Sequence, residues 1–148
     1  MNPSKCGIAG QEALLDCLVV DLPPGTGDEL LAALALFGRK ARLILVTTPS
    51  EGAVGIVGRL RRLADIERTQ VAGVVVNMAY LSGGSAKGRL VRPFGELDET
   101  QVRRRLGATV LADIPLEPRI STEGLLSVMK GRGAVREAFD RLAHSIER

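Results

Sequence analysis

The residues from Leu18 to Asp28 read LVVDLPPGTGD and join a short apolar run to a loop of prolines and glycines. The run Leu18–Val20 predicts a strand that ends at the carboxylate of Asp21. In the loop, two prolines restrict the backbone, and Gly25 and Gly27 allow main-chain N–H groups to approach a ligand closely. A carboxylate at a strand end, followed by such a loop, is typical of a site that holds a phosphate-bound Mg²⁺ ion.

Three further apolar runs follow along the chain. They comprise Leu43–Val46, Val71–Val76, and the group of Val110, Leu111 and Ile114. These runs are rich in β-branched residues and do not alternate strictly with polar ones. Such a pattern indicates strands buried on both faces, as in a parallel sheet.

Stretches with helical spacing separate and follow the apolar runs. They are Asp28–Phe37, Glu51–Ala64, Asp98–Leu106 and the tail Gly133–Ile146. Alternation of strands with helices predicts an α/β fold: a doubly wound, mostly parallel sheet with helices on both faces. Ligands of such sheets bind beyond the carboxyl ends of the strands.

The second and last of these helices carry further expectations. Three glycines, Gly52, Gly55 and Gly58, weaken the second helix in isolation, which predicts close packing against the sheet or a partner. The tail has one apolar stripe, which suits either docking on the sheet or lying on a membrane. We expect docking, because Glu137 and Asp140 dilute the basic face that a membrane surface would attract.

Composition limits the class of protein. The chain has 148 residues, 45% of them hydrophobic, which predicts one domain over residues 1–148. No apolar run reaches the roughly 20 residues of a membrane span, and no secretory signal opens the chain, so we expect a cytoplasmic protein. The two cysteines, Cys6 and Cys17, are too few for a disulfide framework and are interpreted as reduced thiols.

The positive charge of the chain does not predict nucleic-acid binding. The net charge is +3, but aromatic residues make up only 3% of the chain, so no stacking platform for bases accompanies it. The arginines cluster in the helical stretches, for example at Arg59, Arg61 and Arg62. They are interpreted as solvated helix faces.

Two glycine-rich segments are excluded as phosphate-cradling P-loops. PPGTG is followed by Asp28 and Glu29, where a P-loop requires lysine and a hydroxyl residue, and two acids there would repel phosphate. The segment Gly83–Gly88 has neither the required spacing nor a strand before it. It is interpreted as a mobile loop.

Two strand ends carry residues suited to an adenine base. The third apolar run ends at Asn77, whose carboxamide can donate and accept hydrogen bonds at once and so matches the edge of adenine. The fourth runs into Pro115 and Leu116, within the sequence IPLEP, which forms a rigid apolar loop. Each feature alone is common in turns, but the two together with Asp21 favour a nucleotide pocket.

Four segments in unbroken order resemble the Mrp (ApbC) ATPases, which belong with the MinD and ParA type of P-loop NTPases. They read VVDLPPGTGDE, LVTTPSEGAV, GVVVNMAY and ADIPLEPRI, and the match extends over residues 18–148. The resemblance implies an ATP-binding, slowly hydrolysing homodimer that carries iron-sulfur clusters to recipient proteins. It also implies that Asp21 is the catalytic, Mg²⁺-facing carboxylate, that Gly25 faces the γ-phosphate and that Thr26 belongs to the cofactor-binding residues. Asn77 would bind the adenine, with Pro115 and Leu116 as the base-side loop.

The sequence departs from the family pattern at two places. The 148 residues contain no Walker A loop with its lysine, so the P-loop NTPase fold is predicted to be incomplete. Many members also carry a Cys-x-x-Cys pair after the asparagine, where this chain has Gly83 and Ala86, so the usual cluster ligands are missing.

The resemblance and its departures leave three hypotheses. The chain is the C-terminal part of an Mrp-type ATPase that is inactive alone, or a complete non-catalytic module that pairs with a related ATPase. A fragment of a MinD/ParA-like partitioning ATPase is the third. Expected partners are a second copy or a related ATPase subunit and iron-sulfur recipient proteins, with neither nucleic acid nor membrane.

Overall fold

The computed structural model describes residues 17–25, 27–86 and 89–146. Five strands are present in this part of the chain: β1 (Arg42–Thr47), β2 (Gln70–Leu81), β3 (Ser85–Ala86), β4 (Arg89–Leu90) and β5 (Val110–Leu116). Strands β1, β2 and β5 form a parallel sheet in the order β1-β2-β5, and β3 and β4 form a small antiparallel hairpin. The central strand β2 is the longest, and its residues Gly73–Val76 are fully buried.

Four of the helices described here lie close to their predicted positions, and two short ones between residues 119 and 130 were not predicted. The helices are α1 (Asp28–Phe37), α2 (Glu51–Ile66), α3 (Glu99–Leu106), α4 (Arg119–Glu123), α5 (Leu125–Lys130) and α6 (Ala134–Ile146), and a 3₁₀ turn, Gly38–Lys40, follows α1. Asp98 caps α3 by accepting a hydrogen bond from the Gln101 backbone, while the Gln101 side chain accepts one from the Asp98 backbone. Reciprocal capping of this kind fixes the start of a helix, which explains why the prediction at this end was close.

The main core lies between the sheet and helices α2 and α3. Its buried members are Leu45, Val54, Val57, Val74, Val76, Ala79, Leu97, Val102 and Leu106. Val75 is also buried but lies outside this cluster, because successive side chains of a strand point to opposite faces. Helix α6 packs on β5 and buries Val135 and Ala138, which confirms the predicted docking of the tail and a sheet with helices on both faces.

The predicted strand over Leu18–Val20 is wrong for the described chain. These residues have no ladder partner and are exposed, Val19 by 83%. A strand requires a neighbour for its backbone N–H and C=O groups, and β1 is hydrogen-bonded on one side to β2 and on the other to no described strand. The apolar run therefore has the composition of a strand but lacks the neighbour that would make it one.

The segment Gly83–Gly88 was expected to be a mobile loop, and its described part belongs instead to a short hairpin. The N–H of Leu81 donates to the carbonyl of Val91 at 2.8 Å, and the N–H of Gly84 donates to the carbonyl of Leu81 at 3.2 Å. Residues 87 and 88 lie outside the described chain. The prediction failed because backbone pairing across this turn is not visible in its composition.

Helix α2 ends in a Schellman motif that contains an unusual residue. The N–H of Thr69 donates to the carbonyl of Ala64 at 2.8 Å, and that of Arg68 donates to the carbonyl of Asp65 at 3.1 Å. Arg68 has a φ of 56°, in the left-handed region where a Cβ atom is unfavourable and glycine is usual.

We therefore expect Arg68→Gly to raise the free energy of unfolding by about 1 kcal/mol, because it removes the strain of the left-handed conformation. Urea denaturation of the variant and the parent measures the change. Glu67→Gly is the matched control, since Glu67 has a φ of −79° and gains nothing from glycine. An Arg68→Gly variant less stable than the parent would contradict the expectation.

Candidate functional site

The carboxyl ends of the three parallel strands form the edge at which a ligand site is expected. Thr47, the last residue of β1, is in register with Val76 of β2, and Asn77 is in register with Ile114 of β5. Thr47, Asn77 and Pro115 therefore lie at one level of one edge. Pro115 and Leu116 were expected to form a loop, but they are the last two residues of β5, because the pairing of Leu116 with Leu81 extends the strand past the proline. The structure brings together two of the predicted site positions, Asn77 and Pro115, and adds Thr47.

Asn77 stands directly before a bulge in β2. Asn77 pairs with Ile114 on one side of the bulge, and Leu81 pairs with Leu116 on the other, so three residues of β2 oppose Pro115 alone. Met78, the first of the three, has a φ of 55°. Bulges and positive φ values of this kind are common beside functional sites, where they redirect a side chain.

The predicted end of the strand at Asn77 was therefore wrong in one respect, since β2 continues to Leu81 beyond the bulge. The half-buried Asn77 side chain accepts a hydrogen bond from the N–H of Met78 at 3.0 Å, which fixes the orientation of its amide. Arg92 donates to the carbonyl of Ala79 at 3.3 Å, a backbone group within the bulge. These two side-chain contacts stabilise the irregular backbone.

A hydroxyl cluster follows β1. Thr47 is buried, and its Oγ1 donates to the carbonyl of Thr48 at 3.1 Å, while the hydroxyls of Thr48 and Ser50 are 3.1 Å apart. Ser50 precedes α2 without capping it through its side chain. The residues TTPS were given no role from the sequence, although their hydroxyl groups follow directly after an apolar run, which is a position where ligand-binding residues are common.

The loop after β5 is fixed by an ion pair. The Glu117 side chain is 8% exposed and accepts hydrogen bonds from Arg119 Nε at 3.0 Å and from the Arg119 backbone at 3.2 Å. The hydrogen bond from the Arg119 side chain, followed by those from the Ser82 side chain and the Arg119 backbone, lowers the pKa of Glu117 from 4.5 to about 2. The N–H of Ser82 also donates to the carbonyl of Leu116 at 2.8 Å, so this loop is tied to the end of β2.

The lowered pKa predicts a pH dependence for this loop. A carboxyl group with a depressed pKa in the folded state contributes stability above its unfolded pKa and loses it as the pH falls through the folded value. We therefore expect the contribution of Glu117 to be complete above about pH 4.5 and to disappear as the pH approaches 2. Glu117→Gln should be less stable than the parent at pH 7, and the difference should vanish near pH 2 in urea denaturation. A difference independent of pH would contradict this assignment.

Asp113, on β5, is a half-buried carboxylate to which the sequence pattern gave no role. Its Oδ1 is buried and has no hydrogen-bond partner in the described part of the chain. Burial raises its pKa, while the positive charges of Arg92 and Arg141 oppose the rise. An aspartate between apolar strand residues gives no sequence signal of burial, since only the register of β5 places it beside Val76.

The loop before α1 holds the remaining predicted site residues. Asp21 is exposed, and Gly25 has a φ of 108° with no atom within 4 Å of a Cβ built there, so its backbone is open to a ligand. Thr26 lies outside the described residues. Within the described chain, no hydrogen bond links residues 17–25 to the edge formed by Thr47, Asn77 and Pro115. The predicted Mg²⁺-facing residue Asp21 is therefore not hydrogen-bonded, within the described chain, to the edge that carries the predicted adenine-binding residue Asn77.

Residues 17–25, 27–86 and 89–146 contain no group of three or more His, Cys, Asp or Glu side chains placed to hold a metal ion. No helix in this part of the chain has the length and apolar character needed to cross a membrane.

Comparison with known proteins gives relatives described as iron-sulfur cluster carrier proteins and as a cluster assembly factor. An iron-sulfur cluster carrier protein of Saccharolobus solfataricus is 35% identical over 107 residues, covering 72% of this chain and 36% of the relative. A protein of the same description from Mycobacterium bovis is 38% identical over 112 residues, covering 76% and 29%. A chloroplastic Fe-S cluster assembly factor of Oryza sativa subsp. japonica is 36% identical over 110 residues, covering 74% and 20%. The chain thus spans about a third or less of the length of these relatives.

Solved structures agree on the fold. A nucleotide-binding protein of Archaeoglobus fulgidus in complex with ADP superposes with a TM-score of 0.63 at 28% identity, covering 85% of this chain and 51% of that chain. The cell division ATPase MinD of Pyrococcus furiosus gives a TM-score of 0.62 at 23% identity, covering 86% and 49%, and shows the fold alone. The family described as ParA, NUBPL iron-transfer P-loop NTPase, matches residues 11–146. With the α/β fold and the unbroken order of motifs, this match confirms the resemblance, and the chain belongs to the NUBPL iron-transfer P-loop NTPases.

Proposed function

We propose that the chain corresponds to the C-terminal portion of an Mrp-type ATP-binding protein that serves in iron-sulfur cluster carriage. In this proposal it supplies the metal side and the base side of an ATP–Mg²⁺ site and does not turn ATP over alone. The observation that carries the proposal is the alignment of Asn77 and Pro115 at the carboxyl edge of the parallel sheet. Membership of the P-loop NTPase family supports it.

The residues present fit a nucleotide and its metal ion. Asp21 offers an exposed carboxylate, a hard oxygen ligand suited to hydrated Mg²⁺, and Gly25 offers an open backbone to the γ-phosphate, with Thr26 next to it. Asn77 would bind the adenine edge, and Pro115 and Leu116 would contact its ring. The Mg²⁺ ion, when bound, would neutralise part of the phosphate charge.

Phosphate binding needs a group that the 148 residues do not include. They contain no G-x-x-x-x-G-K-[ST] loop, and without its lysine and N–H groups the triphosphate charge is not balanced. The proposal therefore assigns phosphate binding to a segment outside these residues. A loop such as DLPPGTGD can respond to a γ-phosphate but cannot hold one by itself.

The iron-sulfur cluster is cargo in this proposal. Gly83 and Ala86 stand where many family members have cysteines, and neither residue offers a thiolate. The hairpin around β3 and β4 is therefore not proposed as the cluster site. The ligands would come from another part of the assembly, and the recipient proteins would accept the cluster from there.

A second candidate is a non-catalytic module that pairs with a related ATPase or a second copy. Among the described residues, β1 has no strand on its second side and the run Leu18–Val20 is exposed. Both observations favour this candidate, because unpaired strands and exposed apolar residues are normally covered. Light scattering at decreasing concentration tests it. A monodisperse monomer at all concentrations argues against obligatory pairing.

Turnover measurements test the first proposal. The chain is assayed for Mg²⁺-dependent ATP hydrolysis alone and after fusion to the portion of the Saccharolobus solfataricus relative that precedes the matched region. We expect no turnover by the chain alone and measurable turnover by the fusion. Equal turnover by both proteins, or none by the fusion, would refute the proposal.

Variants of the fusion separate the two sides of the site. Asp21→Asn should reduce turnover by about 10- to 100-fold, as loss of a group that orients metal-bound water does. Asp65→Asn, on the exposed end of α2, is the control. Asn77→Ala should weaken nucleotide affinity about tenfold with little change at saturation, while Gln70→Ala, at the opposite end of β2, should change neither.

A further inference from the structure

One side of helix α2 faces away from the sheet and is exposed along its whole length. At 100° per residue, six exposed residues share this side, here called the outer face: Gly52, Gly55, Ile56, Arg59, Arg62 and Ile66. Ile56 is 41% exposed and Ile66 is 71% exposed. The face therefore combines a flat glycine end, two exposed apolar side chains and two arginines.

The two glycines of the outer face, Gly52 and Gly55, make no packing contact in the described fold, unlike the third glycine of the helix, Gly58. A Cβ atom on Gly58 would lie 3.8 Å from Leu106, which explains Gly58 as a contact between α2 and α3. A Cβ atom on Gly52 or Gly55 would have no atom within 4 Å. The sequence predicted that the glycines of this helix allow close packing against the sheet or against a partner. Packing against the sheet is wrong for Gly52 and Gly55, because both face open space. Each still lowers the folding equilibrium constant roughly fivefold relative to alanine, which leaves packing against a partner as the reason.

The charge near this face is unbalanced. Helices α2 and α3 contain six arginines and three carboxylates. Three ion pairs use all three carboxylates: Arg61 with Asp65, Arg103 with Glu99, and Arg105 with Glu51. Arg59, Arg62 and Arg104 form no ion pair within the part of the chain that the structure describes.

We propose that the outer face of α2 is a docking surface for an acidic helix of a partner protein. The partner backbone would come close at Gly52 and Gly55, its apolar residues would cover Ile56 and Ile66, and its carboxylates would pair with Arg59 and Arg62. Close approach at small residues and complementary charge together fix the position and orientation of such a helix. This surface points away from the sheet, and the proposal is independent of the nucleotide function proposed above.

The chemistry of the face separates this occupant from two others. A second copy packed on the same face about a two-fold axis would bring the arginines of the two helices together, which like-charge repulsion disfavours. A nucleic acid would use the arginines but would leave Ile56, Ile66 and the open glycine surface without a matching apolar group. An acidic amphipathic helix matches all three features.

Binding of a defined probe tests the proposal on the full chain. The probe is a fluorescently labelled helical peptide of about 20 residues built from Glu, Ala and Leu, long enough to form a helix in water, and its control has Lys in place of Glu. We expect anisotropy to show binding of the acidic peptide and not of the basic one. Affinity should fall at least tenfold in the double variant Arg59→Glu/Arg62→Glu. It should stay unchanged in Arg39→Glu/Arg132→Glu, which alters two exposed arginines elsewhere.

A second measurement separates docking from a structural role of the glycines. Gly55→Ala should raise the folding equilibrium constant roughly fivefold, because an exposed helix interior prefers alanine. Gly55→Leu should fold as well as the parent and weaken peptide binding at least tenfold by blocking the close approach. Loss of folding in Gly55→Ala would overturn the proposal.

Other results of these binding experiments would overturn the proposal that the outer face binds an acidic helix. Failure of the acidic peptide to bind overturns the proposal, as does binding that the arginine reversals leave intact. Binding of a labelled 20-base-pair DNA duplex that depends on Arg59 and Arg62, without peptide binding, would instead assign the face to nucleic acid. Self-association that these substitutions abolish, again without peptide binding, would assign it to a second copy.

Discussion

Leu45→Ala is expected to lower the free energy of unfolding by about 3 kcal/mol, a loss within the range for truncation of a buried leucine. Leu45 lies on β1, is 1% exposed, and belongs to the core between the sheet and helices α2 and α3. Truncation removes buried apolar surface and leaves a cavity. Because β1 is hydrogen-bonded to one described strand only, its side-chain packing makes up a large part of what holds it to the sheet.

Urea denaturation followed by circular dichroism measures this loss as a lower midpoint at an unchanged slope. Leu126→Ala is the matched control, because Leu126 is 80% exposed on α5 and should change stability by less than about 0.5 kcal/mol. Similar losses in the two variants would contradict the placement of the core.

Gly73→Ala is expected to lower the free energy of unfolding by about 2 kcal/mol, the cost of forcing an extra methyl group into a packed core. A Cβ atom on Gly73 would lie 2.6 Å from the Leu111 side chain and 2.9 Å from the carbonyl oxygen of Thr109. That carbonyl accepts a hydrogen bond from the N–H of Val74 at 2.9 Å, so it cannot move away without loss of the bond. Gly73 also lies beside the irregularity in the pairing of β1 with β2.

Thermal unfolding of Gly73→Ala and Gly52→Ala compares the same chemical change in two environments. The first should lower the melting temperature, and the second should raise it, because the position of Gly52 is open and helical. Changes of the same sign in both variants would contradict the packing described for β2.

The regular elements were largely predictable from the chain. The run Leu43–Val46 became β1, and Val71–Val76 became the centre of β2, because strands buried between helices must be continuously apolar. Helix α1 matches its predicted bounds of Asp28–Phe37, since Asp28 and Glu29 suit the start of a helix. The tail helix docked as its apolar stripe and acidic residues indicated.

The candidate site was predictable only in part. Asn77 and Pro115 were placed at strand ends by reasoning from the sequence, and the register of β2 with β5 brings them to one level. The bulge after Asn77 and the tie from Glu117 to Ser82 and Arg119 were not foreseen. Both depend on contacts between residues far apart in the chain, which leave no local pattern.

The segment LVVDLPPGTGD shows which properties follow from the amino-acid sequence alone and which depend on tertiary structure. The sequence by itself determined that this run is apolar, that it ends at Asp21, and that its loop is built from prolines and glycines, because these are properties of the residues alone. Tertiary structure decided that Leu18–Val20 is not a strand here, because strand formation requires hydrogen bonds from a neighbour, and no described neighbour supplies them. In the same way, only packing shows that Gly58 contacts Leu106 while Gly52 and Gly55 face open space, since helical spacing does not reveal which neighbours a fold provides.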